Sequence, residues 1–203
     1  DIWEEANRLS LDIKDATCPL VHKIHEDVRN LHSEGRKIIV IGDHGHDEVV
    51  AIADQAKNTI VISNPEEAKK LKRIRKAGIV SQSTQAIENV QEIISILMTK
   101  IFDLRFVNTI CYPTKRNQEQ IKDLAKIVDI MIIIGSFTSA NSKRLTSLSK
   151  NLNNNTYQVT DEMELDEKWF HNCKTVGISA GASTPDYLIK NIKNKIERIG
   201  KEI

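Results

Sequence analysis

The chain has 203 residues, 40 % of them apolar, with 29 lysines and arginines against 28 aspartates and glutamates. That length and apolar content can bury a substantial core, whereas the balanced charge excludes the long-range positive field that captures nucleic acid, so any anion site must be local. The longest apolar runs, such as 130–134, fall far short of the roughly 20 residues that cross a bilayer, and three widely spaced cysteines are not a secreted disulfide framework; a soluble protein of a reducing compartment is expected.

Residues 2–9, with Ile2, Trp3, Ala6 and Leu9 at helical spacing, predict a helix, and 11–16 alternates as a strand running into Cys18. Pro19 suits the first turn of a helix whose apolar face is Leu20, Val21, Ile24, Val28 and Leu31, closed by Gly35. A buried strand over 37–41 stops at the loop Gly42-Asp43-His44-Gly45-His46-Asp47-Glu48, before a short helix over 49–56. The pattern then gives a strand at 59–63, with Asn64 as N-cap and Pro65 opening a charged helix over 65–75. A strand at 77–80 delivers Ser81-Gln82-Ser83-Thr84, and a long helix over 85–102 carries Ile87, Val90, Ile93, Ile94 and Leu97 on one face. The plan then recurs: strand 106–110, Cys111, helix 117–127, strand 130–134, and the loop 135–142. A helix through Leu145 and Leu148, a polar loop over 151–155, a strand at 157–160, an acidic helix over 163–170 and a strand at 175–179 follow. The last strand delivers Ala180-Gly181-Ala182-Ser183-Thr184-Pro185-Asp186 to a final helix of about 185–199.

Cys18 and Cys111 are 93 residues apart, and so are Gly42 and Gly135, each glycine ending an apolar strand. One offset shared by two independent features is the mark of a duplicated module. The expected fold is therefore α/β: two repeated α/β units with parallel sheets covered by helices, whose ligands gather at the carboxyl ends of the strands.

Thiolates at two corresponding strand ends suit a soft metal or an iron–sulfur cluster. Either cysteine alone would be read as core; the pair is read as ligands, and as an incomplete metal site. Cys173 has no counterpart and is expected to be a core or surface thiol. The loop 44–48 offers two imidazoles and two carboxylates for a metal site, for acid–base chemistry by Glu48, or for anion binding by His46; its plainer role is to cap the next helix through Asp43 or Asp47. Ser136, Ser139, Asn141 and Ser142, and likewise Ser183 and Thr184, precede helices, where hydroxyls and unpaired N–H groups cradle phosphate. Two such loops point to a diphosphate rather than to simple N-capping. Ser81-Gln82-Ser83-Thr84 is a third donor set or a cap, and His22, His25, His32 and His171 are expected in solvated or capping roles.

Asp15-Ala16-Thr17-Cys18-Pro19-Leu20-Val21, Gly45-His46-x-Glu48, Ile110-Cys111-Tyr112, Ser139-x-Asn141-Ser142-x-Arg144-Leu145 and Ala180-Gly181-Ala182-Ser183-x-Pro185-Asp186 together resemble the LytB-type 4-hydroxy-3-methylbut-2-enyl diphosphate reductases, in order and along essentially the whole chain. The resemblance implies a three-unit trefoil with one cysteine per unit around a 4Fe-4S cluster. Residues 1–18 would end the first unit, 19–104 form the second, and 105–203 form the third with the start of a C-terminal tail. It implies Cys18 and Cys111 as cluster ligands, with a third cysteine upstream of Asp1, and Glu48 as the proton donor that turns an allylic hydroxyl into water. His46 would sit on the substrate, Ser139, Asn141 and Ser183 would bind its diphosphate, and Gln82, Ser83 and Thr84 would orient the hydroxyl and the proton relay. The implied reaction is two-electron reductive dehydroxylation to isopentenyl and dimethylallyl diphosphate. A ferredoxin or flavodoxin would serve as donor, in a bacterial cytoplasm or a plastid-type organelle, with no targeting segment in this chain. The chain departs from the family at Ser83, where threonine is usual, at Ala140, where serine is usual, and over 114–118. On this reading the isolated chain binds no stable cluster and is inactive. The residues alone also admit a metal-dependent phosphohydrolase using His44, His46 and Glu48, or a non-catalytic module that binds a phosphorylated ligand.

Overall fold

A computed structural model describes residues 2–202; the side chains of Ile2 and Trp3, assigned above to an apolar helix face, lie outside the described residues. Helix α1 (Ile2–Arg8) leads into an irregular stretch and then α2 (Pro19–Ser33). Strands β1 (Lys37–Ile41), β2 (Ile60–Ile62), β3 (Ile74–Ser81) and β4 (Ile101–Phe106) form a parallel sheet of order β2-β1-β3-β4. Strands β5 (Ile130–Ile134), β6 (Thr156–Val159) and β7 (Val176–Ala180) form a second parallel sheet, β6-β5-β7.

Successive side chains on a strand point to opposite faces, and both central strands are buried on both. In the first sheet Ile38, Val40 and Val80 meet Ile24, Val28 and Leu31 of α2 and Val49 and Ile52 of α3 (Asp47–Ala53). On the opposite face Ile39, Ile41 and Ile79 pack with Ala68 of α4 (Pro65–Lys70) and Val90, Ile93 and Leu97 of α5 (Ile87–Met98). The second sheet repeats this: Met131 and Ile133 face Ile121 of α6 (Tyr112–Leu124) and Leu145 of α7 (Ala140–Lys150), while Ile130, Ile132 and Ile134 face Phe170 and, from α8 (Asp186–Glu202), Ile192 and Ile199. The strands β1 and β5 begin and end 93 residues apart, α2 and α6 start 93 apart, and so do α3 and α7.

Several expected boundaries give way to tertiary partners. No strand forms over 11–16: Asp15 Oδ1 accepts from the Thr17 N–H at 2.9 Å, turning the chain where a ladder would need it straight. The equivalent strand expected over 106–110 is likewise replaced by an Asx turn, Asn108 Oδ1 accepting from Ile110 N–H at 3.3 Å; β4 lies earlier, paired with β3. The charged helix stops at Lys70 rather than 75 because Ile74 and Lys76 join a ladder with Ile101 and Asp103, and that ladder also cuts the helix expected to reach 102 at Met98. The helix after Cys111 starts at Tyr112, not 117, matching the start after Cys18. The acidic segment 163–170 is two 3₁₀ turns, Glu162–Glu164 and Glu167–Phe170, each capped by an aspartate side chain. The remaining elements agree with expectation to within a few residues, and Gly35 takes the left-handed φ of 74° that suits the residue after a C-cap.

Candidate active site

The loops that leave β1, β3, β5 and β7 at their carboxyl ends lie side by side because the ladders continue one bond past each strand. Gln82 N–H donates to Ile41 O at 2.8 Å in the first sheet, and Gly181 N–H to Ile134 O at 2.9 Å in the second. Gly45 turns the β1 loop with φ 73°, open space surrounding the position of a would-be Cβ. Gly42 makes room for the protein itself: a Cβ there would lie 2.5 Å from Val49 Cγ2.

The first turn of α3 includes Asp47 and Glu48, earlier than expected, and its cap is His46 rather than either aspartate. His46 Nδ1 accepts from Glu48 N–H at 3.2 Å, which leaves Nε2 as the ring's N–H donor. The Glu48 carboxylate is held at both oxygens: Ser83 N–H donates to Oε1 at 2.7 Å and Ser83 Oγ to Oε2 at 3.0 Å. Ser83 also accepts, through its carbonyl, the Cys111 N–H at 2.9 Å. One serine therefore joins the acid to a thiol-bearing helix start in the other unit.

Cys18 and Cys111 occupy corresponding places as the N-cap residues of α2 and α6, each with a proline in the first turn, and neither thiol caps its own helix. Cys18 is exposed; Cys111 is half-buried with Sγ 3.0 Å from Thr114 Oγ1, and neither is in a disulfide. Two sulfurs in corresponding places, neither spent on capping, are suited to ligate a soft metal. Cys173 packs at the edge of the second core and donates to Thr175 O, and burial pushes its thiol above the ordinary range.

Gln82 is fully buried and its amide is spent on neighbours: Oε1 accepts from Asp43 N–H at 3.1 Å and Nε2 donates to Thr84 Oγ1 at 3.3 Å. Thr84 Oγ1 also accepts from Arg144 Nη1 at 3.3 Å, so its own proton is the one it has left to give. Ser139 caps α7 by accepting from Ser142 N–H at 3.3 Å and likewise keeps its hydroxyl proton. Asn141 lies in the first turn, buried, with Oδ1 unpartnered. Ser183 is exposed just before α8, whereas Thr184 turns inward to donate to Ile134 O at 3.1 Å. A cleft of about 670 Å³ opens between the β1 loop and the start of α7, with His46, Thr138, Ala140 and Lys143 on its walls. Glu48 does not line it, because its carboxylate is turned to Ser83.

His44 turns away from His46, its Nε2 lying 2.9 Å from Glu67 Oε2. The Ser63 N–H, followed by the His44 ring and the Ser63 hydroxyl, holds the Glu67 carboxyl down at about 2. The metal-hydrolase reading needed His44, His46 and Glu48 to converge; among the described residues no group of three or more histidines, cysteines or acids is spaced for a metal ion. His22 reaches back to Asp15 at 3.0 Å, and His25, placed among the solvated histidines by its helical spacing, has a buried and unpartnered Nε2. The sequence reading quoted Arg144 in a motif but gave it no task; its place one turn beyond Asn141, on the same helical face, was the available signal.

Residues 1–197 match the family model described as LytB protein. The chain belongs to the LytB family. It is 42 % identical to the 4-hydroxy-3-methylbut-2-enyl diphosphate reductase of Geotalea daltonii, over all of this chain and 72 % of that protein. It is 43 % identical to the enzyme of the same name from Campylobacter fetus, over 96 % of this chain and 71 % of that one. Among solved structures, a LytB-family match is (E)-4-hydroxy-3-methyl-but-2-enyl diphosphate reductase, the terminal enzyme of the non-mevalonate pathway, with TM-score 0.62 and 39 % identity over 97 % of this chain and 72 % of that chain. The reductase of Plasmodium falciparum superposes with TM-score 0.89 at 29 % identity, over 95 % of this chain and 62 % of that one. The parallel, helix-covered sheets of this LytB chain are thus those of its family.

Proposed function

We propose that the protein is an iron–sulfur 4-hydroxy-3-methylbut-2-enyl diphosphate reductase and that this chain supplies its acid, its diphosphate cradle and two of its cluster ligands. The observation that carries the proposal is the Ser83 joint, which binds the Glu48 carboxylate by two hydrogen bonds and the Cys111 backbone by a third. An acid and a cysteine-bearing backbone anchored to one serine support a site that brings a proton donor and a cluster ligand together, the two parts that reductive loss of a hydroxyl requires.

The donor set fits an iron–sulfur cluster: two soft sulfurs in equivalent helix N-caps, neither used for capping. Cys18 and Cys111 would hold it with a further ligand, and the chemistry it would supply when bound is one-electron reduction. Glu48 gives a proton to the allylic hydroxyl, which leaves as water; two electrons and a second proton complete the exchange of C–OH for C–H, giving isopentenyl and dimethylallyl diphosphate. Ser83 fixes the acid, and the Thr84 hydroxyl, its lone pairs filled by Gln82 and Arg144, donates toward the substrate oxygen. Gln82 acts through Thr84 rather than by contact, being fully buried. The diphosphate is received by His46 Nε2 and the hydroxyls of Ser139 and Ser183 with the Asn141 amide, around the start of α7. The trefoil arrangement, with units at 19–104 and 105–203, a further thiolate outside this chain, and a ferredoxin or flavodoxin donor belong to the same proposal, as does a bacterial cytoplasmic or plastid setting.

Glu48→Gln tests it. Gln can still accept from Ser83, so the fold and the visible absorbance of the reconstituted cluster are expected to stay, while turnover of the allylic diphosphate falls by about 100-fold or more. Parent-level turnover would remove Glu48 from the chemistry.

A further inference from the structure

Arg144 is a half-buried cation at this site whose only task in the proposed chemistry is to fill a lone pair of Thr84. Its side chain, 15 % exposed, leaves α7, which packs on the second sheet, and ends on acceptors from the loops of the first. Nη2 donates to Asp43 Oδ2 at 2.5 Å and to Gln82 Oε1 at 3.3 Å; Nη1 donates to Thr84 O at 3.2 Å and Thr84 Oγ1 at 3.3 Å. Asp43 belongs to the loop after β1, which leads through His46 into Glu48, and Gln82 and Thr84 to the loop after β3, which carries Ser83. The helix that bears Arg144 is capped by Ser139 and has Asn141 in its first turn. Arg144 and Lys143 both line the cleft, but with these four bonds the planar fork has little capacity left for an incoming anion, whereas Lys143 is exposed.

We propose that Arg144 is a positioning residue that ties the proton-delivering loops of the first sheet to the diphosphate-receiving helix on the second, so that one side chain sets the span between the two ends of the bound substrate. The inference rests on the reductase reading. It follows from geometry, since donors from one rigid fork reach two loops that have no other polar link to α7 among the described residues. A lysine, with a compact ammonium and no fork, can keep the Asp43 ion pair but cannot also serve Thr84 and Gln82.

The test uses the cluster-loaded full-length protein with Arg144→Ala and Arg144→Lys. In Arg144→Ala kcat is expected to fall about tenfold or more, with KM and the inhibition constant of inorganic diphosphate changed by no more than about threefold and cluster absorbance retained. Arg144→Lys, which guards against a variant that fails to fold, is expected to remain about threefold or more below the parent in kcat. Deuterium uptake at residues 43–46 and 82–86 is expected to rise together in Arg144→Ala. Unchanged kcat, full rescue by lysine, or a loss confined to KM and to diphosphate inhibition would overturn the proposal, the last by making Arg144 an anion ligand. If the parent does not turn over the allylic diphosphate, the reductase reading fails on its own, and deuterium uptake still decides whether Arg144 couples the two loops.

Discussion

Ser83 shows how much a single residue can organise: its N–H and hydroxyl grip Glu48 and its carbonyl receives Cys111. Ser83→Ala removes one of the two bonds that orient the acid, and turnover is expected to drop by about tenfold while the backbone bond keeps the carboxylate in place, a change read directly by steady-state kinetics. Cys18→Ser and Cys111→Ser are each expected to abolish the visible absorbance of the reconstituted enzyme, since a hydroxyl is a poor substitute for a soft thiolate donor. Glu67 makes a pH prediction. Its carboxyl is held at about 2 against about 4.3 in an unfolded chain, so its contribution to stability is present above about pH 4.3 and is lost as pH falls toward 2. Glu67→Gln is expected to flatten the dependence of Tm on pH in that window, measured by thermal denaturation.

At the level of elements, the close approach of α3 to the β1 loop is a demanding piece of packing near the site. A methyl at Gly42 would meet Val49 Cγ2 at 2.5 Å and Gln82 Cβ at 3.2 Å. Gly42→Ala is expected to cost about 1–3 kcal/mol in urea unfolding, the range of an overpacked core, and to move Glu48 with the helix. The central strands β1 and β5 were legible to the residue, because unbroken runs of isoleucine and valine have one stable use between two helical layers. So were the helix starts marked by Asn64-Pro65 and Cys18-Pro19. What local pattern misplaced was decided by distant partners: Ile74 looks helical among lysines and arginines until β4 arrives to pair with it. Similarly, Asp15 and Asn108 turn the chain through side-chain bonds that an apolar alternation does not encode. That the polar loops gather at the carboxyl ends of the strands was legible, but which side chains bond to which was not, since it depends on how the loops of the two sheets face each other.

Over the whole molecule, the two sheets have separate cores joined by polar bonds as well as by the chain. Gln118 of α6, almost fully buried, donates to Gln85 O at 3.1 Å and accepts from Ile87 N–H at 3.3 Å, and Thr109 Oγ1 bridges to Ser81. Gln118→Leu keeps the volume but leaves two buried backbone groups unpaired, which is expected to cost about 1–3 kcal/mol by denaturant titration. The register kept between the two halves has a chemical consequence. Position 46 and position 139 are the same place in the scaffold, each capping the helix that follows its central strand, yet one copy carries an imidazole beside a carboxylic acid and the other a hydroxyl beside an amide. On the proposed reductase reading, difference at matched positions on an unchanged backbone lets both copies hold the charged tail, through His46 in one and Ser139 and Asn141 in the other, while only one of them brings an acid, Glu48, to the reacting head.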